Sequence, residues 1–176
     1  AIALKEKGLK VGLIDADIYG PSQPAMLGLS PGDLKVKDEK IISPIEKKGV
    51  KFISMGLISS ERMPVIWRGP MVSGAVMQLL SQTDWGELDF LIIDTPPGTG
   101  DVQLTLLQKI PITATLVVTT PQKVSISDCR KGIEMIKKLD VPILGLVENM
   151  SWFEPNDTEK KYHIFGKNGG MELAKD

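Results

Sequence analysis

The chain has 176 residues, 42% of them hydrophobic, which is enough to bury one sizeable core. Its 21 basic and 22 acidic residues leave a net charge of -1, which excludes an overall field for nucleic acid or an anionic membrane. One cysteine excludes an intrachain disulfide, and no apolar run approaches the about 18 residues of a membrane span; the expected setting is a reducing one, the cytoplasm or an organelle matrix.

Ala1 to Lys7 has helical composition and Gly8 fits a C-cap, so residue 1 reads as lying inside a helix whose start is not in the sequence. Val11 to Asp15 is the first predicted strand, followed in "VGLIDADIYGPS" by Asp17 and a turn at Gly20 and Pro21. Lys35 to Lys51 holds six lysines around a short apolar centre, with Asp38, Glu39 and Glu46 interspersed. This mixture predicts a solvated hairpin or loop rather than a nucleic-acid patch. Lys51 to Met55 is the next strand. Pro70 to Gln82 places Met71, Val72, Ala75, Val76, Leu79 and Leu80 on one helical face.

Phe90 to Asp94 repeats the pattern of an apolar strand ending on an aspartate, and Pro96, Pro97, Gly98 and Gly100 separate it from the helix that follows. Thr115 to Thr119, a helix over Ser127 to Leu139 carrying Cys129, Ile133 and Ile136, and a strand over Ile143 to Val147 complete the alternation. The closing "GGMELAKD" reads as the start of another helix. Alternating strands and helices predict an α/β fold, a mostly parallel sheet with helices on both faces, in a single domain over 1–176.

The acidic strand ends are the candidate chemistry. Ligands of parallel sheets bind beyond the carboxyl ends of the strands, where carboxylates can hold Mg²⁺ through water or orient an attacking water. Asp15, Asp17 and Asp94 equally fit ordinary helix or turn caps, and the residues alone leave both readings open. After Asp94, the prolines restrict the backbone while Gly98 and Gly100 permit positive φ, which leaves amides able to face an anion.

"DADIYGPSQPAMLG", "IWRGPMVSGAVMQLL", "DFLIIDTPPGTGDVQLTL" and "VENMSWF…YHIFGKNGG" resemble, in order, the Mrp/ApbC family of nucleotide-binding proteins, relatives of MinD and ParA. The resemblance implies a P-loop NTPase of the MinD-like kind, binding ATP and Mg²⁺. On it, Asp17 matches the aspartate that orients the hydrolytic water and Asp15 its neighbour near the metal, while Asp94 matches the aspartate that holds Mg²⁺ through water. Gly98 matches the glycine whose amide meets the γ-phosphate, and Asn149 the asparagine that reads the adenine edge. The family's glycine-rich, lysine-containing phosphate loop is absent, since nothing here reads G-x-x-x-x-G-K-[ST]. The expectation is a nucleotide-binding domain truncated at both ends, with that loop upstream of Ala1.

Cluster-carrying members of the family show Phe-x-Cys-x-x-Cys after the Asn-Met-Ser segment, and two chains share an iron-sulfur cluster through those thiolates. Here "SWFEPNDTEKKYHIFG" puts Pro155 and Thr158 in those places, and neither replaces a thiolate. Cys129, on an apolar helical stripe with Ile126, Ile133 and Ile136, is expected to be buried and structural. His163 is expected to be a strand or loop residue. Arg68 either packs on Trp67 or faces a partner subunit.

The resemblance implies an ATP-hydrolysing homodimer that delivers iron-sulfur clusters to apoproteins or works with assembly factors. The alternative is a MinD- or ParA-like regulatory ATPase that carries no cluster and acts through partner or surface binding.

Overall fold

The computed structural model describes residues 1–30, 33–37, 41–57 and 69–175. The expectations for Asp38, Glu39, Trp67 and Arg68 lie outside the described residues. The chain divides into two compact units, Ala1–Thr105 and Leu106–Asp176.

In the first unit, α1 (Ile2–Glu6) leads into β1 (Val11–Asp15), and α2 (Gln23–Leu27) follows the turn at Gly20 and Pro21. β2 (Lys35–Lys37), β3 (Ile41–Ser43), β4 (Ile45–Lys47) and β5 (Val50–Ser54) come next, then a 3-10 turn at Met55–Leu57, α3 (Gly69–Gln82) and β6 (Phe90–Asp94). The sheet runs in the order β4-β5-β1-β6, with β1 parallel to both β5 and β6 and β4 antiparallel to β5. The lysine-rich insertion is thus two hairpins, β2–β3 and β4–β5, and the second of them joins the main sheet.

β1 and β5 are buried on alternating faces alike, which is why their sequences read as continuous apolar runs. Val11, Ile14, Phe52, Ile53, Val72 and Val76 are each at most 2% exposed and form the core of this unit. Burying a side chain of this size contributes about 1.5–3 kcal/mol, so these positions fix where the strands end. β6 departs from the expectation of a fully covered strand. It pairs with β1 on one side only among the described residues, and Phe90 and Leu91 stay 46% and 38% exposed.

α4 (Asp101–Lys109) runs from the first unit into the second. There β7 (Thr115–Thr119), α5 (Lys123–Lys138) and β8 (Ile143–Glu148) form a parallel strand–helix–strand unit, and α6 (Gly169–Leu173) packs on β8. Glu148 Oε2 accepts the Gly170 amide at 2.5 Å, which caps the start of α6. Only two strands pair in this sheet among the described residues, and Leu116, Val118 and Leu144 are exposed by 55%, 56% and 78%. Phe153 and Tyr162 exchange backbone hydrogen bonds of 2.8 and 2.9 Å, and so close the loop between them.

Candidate functional site

Strand order brings two of the sequence candidates side by side. β1 and β6 are parallel neighbours, and their register pairs Asp15 with Asp94. On the other side of β1, the same register pairs Asp15 with Ser54 at the end of β5. Three strands therefore finish level, and the loops beyond them start from one line.

Asp15 is 1% exposed. Its Oδ2 accepts from Ser54 Oγ at 2.9 Å and its Oδ1 from the Asp17 amide at 3.2 Å. Burial pushes its carboxyl above the ordinary aspartate value of 3.8; the Ser54 hydroxyl and the Asp17 amide pull it back, the neighbouring Asp94 charge raises it, and the Gln23 amide lowers it. Asp15 is thus a buried acid with two hydrogen-bond donors and an adjacent acid on the next strand.

Asp17 opens the loop between β1 and α2. Its Oδ1 accepts from the amides of Tyr19 at 3.0 Å and Gly20 at 3.1 Å, which folds the loop back over the strand end. A Cβ on Gly20 would stand 3.4 Å from Asp17 Oδ2, an ordinary contact distance.

Asp94 is half-buried, and Gln23 Nε2 donates to its Oδ2 at 2.6 Å. The backbone carbonyl of Asp94 accepts from the Ala16 amide at 2.8 Å, which continues the β1–β6 ladder one step past the strand. Four residues on, Gly98 holds φ +91, a conformation that L side chains rarely adopt, with no neighbour within 4 Å of where a Cβ would stand. Gln103 Nε2 on the first turns of α4 donates to the Pro96 carbonyl and fixes the near end of this loop.

The other candidates belong to the second unit. Asn149 is exposed at the end of β8, where its amide donates to the Thr119 carbonyl at 2.7 Å and its Oδ1 accepts from the Met150 amide at 2.9 Å. Pro155 and Thr158 sit in a turn closed by the Thr158 amide donating to the Pro155 carbonyl at 3.3 Å. Glu154, Pro155, Asn156, Asp157, Thr158 and Glu159 line an open concavity of ≈ 570 Å³ there, with neither a thiol nor an imidazole.

Cys129 is half-buried rather than buried. It faces β7 from α5, where no residue of the helix is fully covered, and its Sγ donates to the Val118 carbonyl at 3.4 Å. His163 Nδ1 donates to the Ser151 carbonyl at 2.8 Å, which fits a loop residue that pins the base of the hairpin.

Sequence reasoning missed Ser54 and Gln23. Ser54 ends its strand level with Asp15, a signal usable only once β5 is known to lie beside β1. Gln23 lies 71 residues from Asp94, and no spacing rule reaches that far.

Carboxylates at the ends of neighbouring parallel strands, with a glycine loop beyond them and helices between, are the arrangement of an α/β fold of the P-loop NTPase class, whose ligands bind past the carboxyl ends of the strands. The ParA family model, described as NUBPL iron-transfer P-loop NTPase, matches residues 1–176, and the chain belongs to that family. It is 50% identical over 175 residues to an iron-sulfur cluster carrier protein of Pseudomonas fragi, covering 99% of this chain and 61% of that one. With the iron-sulfur cluster transfer protein NUBPL of Mus musculus it shares 45% identity over 174 residues, 99% of this chain and 54% of that one. The chain thus spans between about half and three fifths of the length of these curated relatives.

Among solved structures, the nucleotide-binding protein of Archaeoglobus fulgidus in complex with ADP superposes with a TM-score of 0.82 at 34% identity, covering 99% of this chain and 68% of that one. The cell division ATPase MinD of Pyrococcus furiosus, at 18% identity and a TM-score of 0.56 over 99% of this chain and 70% of that one, shares the fold.

Proposed function

We propose that the protein is a Mg²⁺-dependent ATPase that works as a homodimer in delivering iron-sulfur clusters to apoproteins, in the cytoplasm or an organelle matrix. The observation that carries the nucleotide half is the level pairing of Asp15 and Asp94 at neighbouring strand ends, with the Asp17 and Gly98 loops beyond them. A relative of closely similar fold, solved with ADP, supports that half. The cluster half rests on the names of relatives about half identical to this chain.

The donor chemistry suits Mg²⁺, a hard cation that takes one or two carboxylates and completes its shell with water and phosphate. Among the described residues no group of three or more His, Cys, Asp or Glu could hold a metal ion, so no all-protein cage competes with that arrangement. Asp94 would hold Mg²⁺ through water, with Asp15 beside it keeping Ser54 and the Asp17 amide in place. When bound, the cation offsets charge on the phosphate oxygens. Asp17 orients the attacking water, Gly98 offers its amide to the terminal phosphate, and Asn149 reads the adenine edge.

The test is steady-state hydrolysis by the full-length protein. Activity should require Mg²⁺ and vanish in EDTA. Asp17→Asn should lower kcat by about 100-fold or more, with ATP affinity within a few-fold, because the residue acts on the water. Equal losses in both quantities would remove that role from Asp17.

A second reading is favoured by the loop Glu154–Glu159, which offers carboxylates where a cluster carrier would offer thiolates. On that reading the protein is a cluster-free regulatory ATPase whose output is a partner or surface interaction. Iron and sulfide content after anaerobic reconstitution separates the two.

A further inference from the structure

Resting on the nucleotide-binding reading above, we propose that Gln23 is a positioning residue for Mg²⁺: its carboxamide fixes the plane of the Asp94 carboxylate so that one oxygen is presented to the hydrated cation. Gln23 Nε2 donates to Asp94 Oδ2 at 2.6 Å. The amide holds one of the two carboxylate oxygens and leaves Oδ1 to accept from metal-bound water.

The chemistry of the donor matters. Asp94 stands level with Asp15, so two acids share this strand edge. A lysine or arginine at position 23 would also anchor Asp94, but its charge would cancel the field that attracts a cation. A neutral amide orients the carboxylate and keeps its charge. Partners of this kind, hydrogen-bonded behind a ligating carboxylate, typically govern metal affinity by about 10–100-fold.

The position of Gln23 also serves the role. It is the first residue of α2, with Pro24 buried behind it and the Ser22 carbonyl accepting from the Met26 amide at 3.2 Å, so its backbone is held by the helix start. The loop from Asp17 to Ser22 joins the Asp15 strand end to Gln23, whose side chain holds Asp94. A shift of that loop on nucleotide binding would be felt at Asp94 through the same side chain.

The test uses the full-length protein with Gln23→Leu, which removes the donor at similar volume, and Gln23→Asn, which keeps the amide but is one methylene short. The readout is the Mg²⁺ concentration giving half-maximal ATP hydrolysis, beside ATP affinity in EDTA and the far-UV circular dichroism spectrum. Both variants should need about 10-fold more Mg²⁺, recover most of their loss when Mg²⁺ is raised, and bind ATP in EDTA as the wild type does. If Gln23→Leu loses the native spectrum, the Mg²⁺ requirement of Gln23→Asn decides between the outcomes. An unchanged Mg²⁺ requirement in a folded variant, with the wild type active, overturns the role of Gln23 alone. A wild type with no Mg²⁺-dependent hydrolysis overturns the nucleotide reading and takes this inference with it.

Discussion

Asp15 is 1% exposed in the middle of an apolar strand end, and its ionisation is opposed by burial more strongly than its donors favour it. That balance has a direction with pH. In the unfolded chain the residue ionises near the ordinary value of 3.8, whereas in the fold it keeps its proton to higher pH. Between the two values the folded state binds more protons, so this contribution to stability is full below the unfolded value and is lost as pH rises through the raised folded one. Each pH unit that separates the two values is worth about 1.4 kcal/mol. Asp15→Asn removes the titration, so the stability of the wild type relative to this variant should decline as pH rises above the ordinary aspartate value of 3.8 in metal-free buffer. Urea melts across that rise check it, and parallel curves for the two proteins would refute it. The sequence showed Asp15, Asp17 and Asp94 because each breaks an apolar run or a turn with a charge. It hid Ser54 and Gln23 because a serine and a glutamine in those places look like any polar residue until strand order is known.

Elements behave differently from residues in how far the sequence reveals them. β1, β6 and β7 take the bounds predicted for them, since each is a five-residue apolar run stopped by a polar or charged residue. β5 begins one residue earlier, at Val50, because Val50 pairs with Lys47 in a hairpin, and β4 itself was legible only as part of a solvated insertion. α5 starts four residues before the predicted Ser127, at Lys123, so its first turn takes in Val124 and Ile126. The 3-10 turn after β5 was invisible, yet it holds the first loop in place. Gly56 donates its amide to Ser54 Oγ at 3.0 Å, and a Cβ on Gly56 would stand 2.6 Å from Pro21 Cβ and 2.8 Å from Pro21 Cγ. The proline ring is tied to its own backbone and cannot swing aside. Gly56→Ala should therefore push the Asp17–Ser22 loop off the strand ends, lowering stability by about 1–3 kcal/mol, the usual cost of overpacking, and weakening nucleotide binding with it. Chemical denaturation paired with ATP titration of the variant measures both, and wild-type values in each would show that the turn and the loop are not packed as described.

At the scale of the whole molecule, the question is what the fold delivers. The relatives at about half identity are named for iron-sulfur clusters, but the 154–159 loop of this chain supplies Glu154, Asp157 and Glu159 and no thiolate. Iron-sulfur clusters are held by cysteine thiolates in nearly every case, so a cluster on this chain would have to reach Cys129, the one cysteine in the sequence. Cys129 faces β7 from α5. Its thiol donates to the Val118 carbonyl on β7, within the parallel strand–helix–strand unit, and turning it outward would break that bond and open the contact between α5 and β7. Cys129→Ser should therefore leave iron and sulfide content after anaerobic reconstitution of the full-length protein at the wild-type level. Serine can keep a donor to the same carbonyl, so the loss of stability should be about 1 kcal/mol, the cost of exchanging a sulfur for a smaller, more polar oxygen in a packed contact. Loss of iron from this variant with its circular dichroism spectrum intact would make the α5 cysteine the cluster site. Iron retained in the variant would mean that the ligands come from elsewhere in the protein or from a partner, and iron absent from both proteins would favour the cluster-free regulatory ATPase.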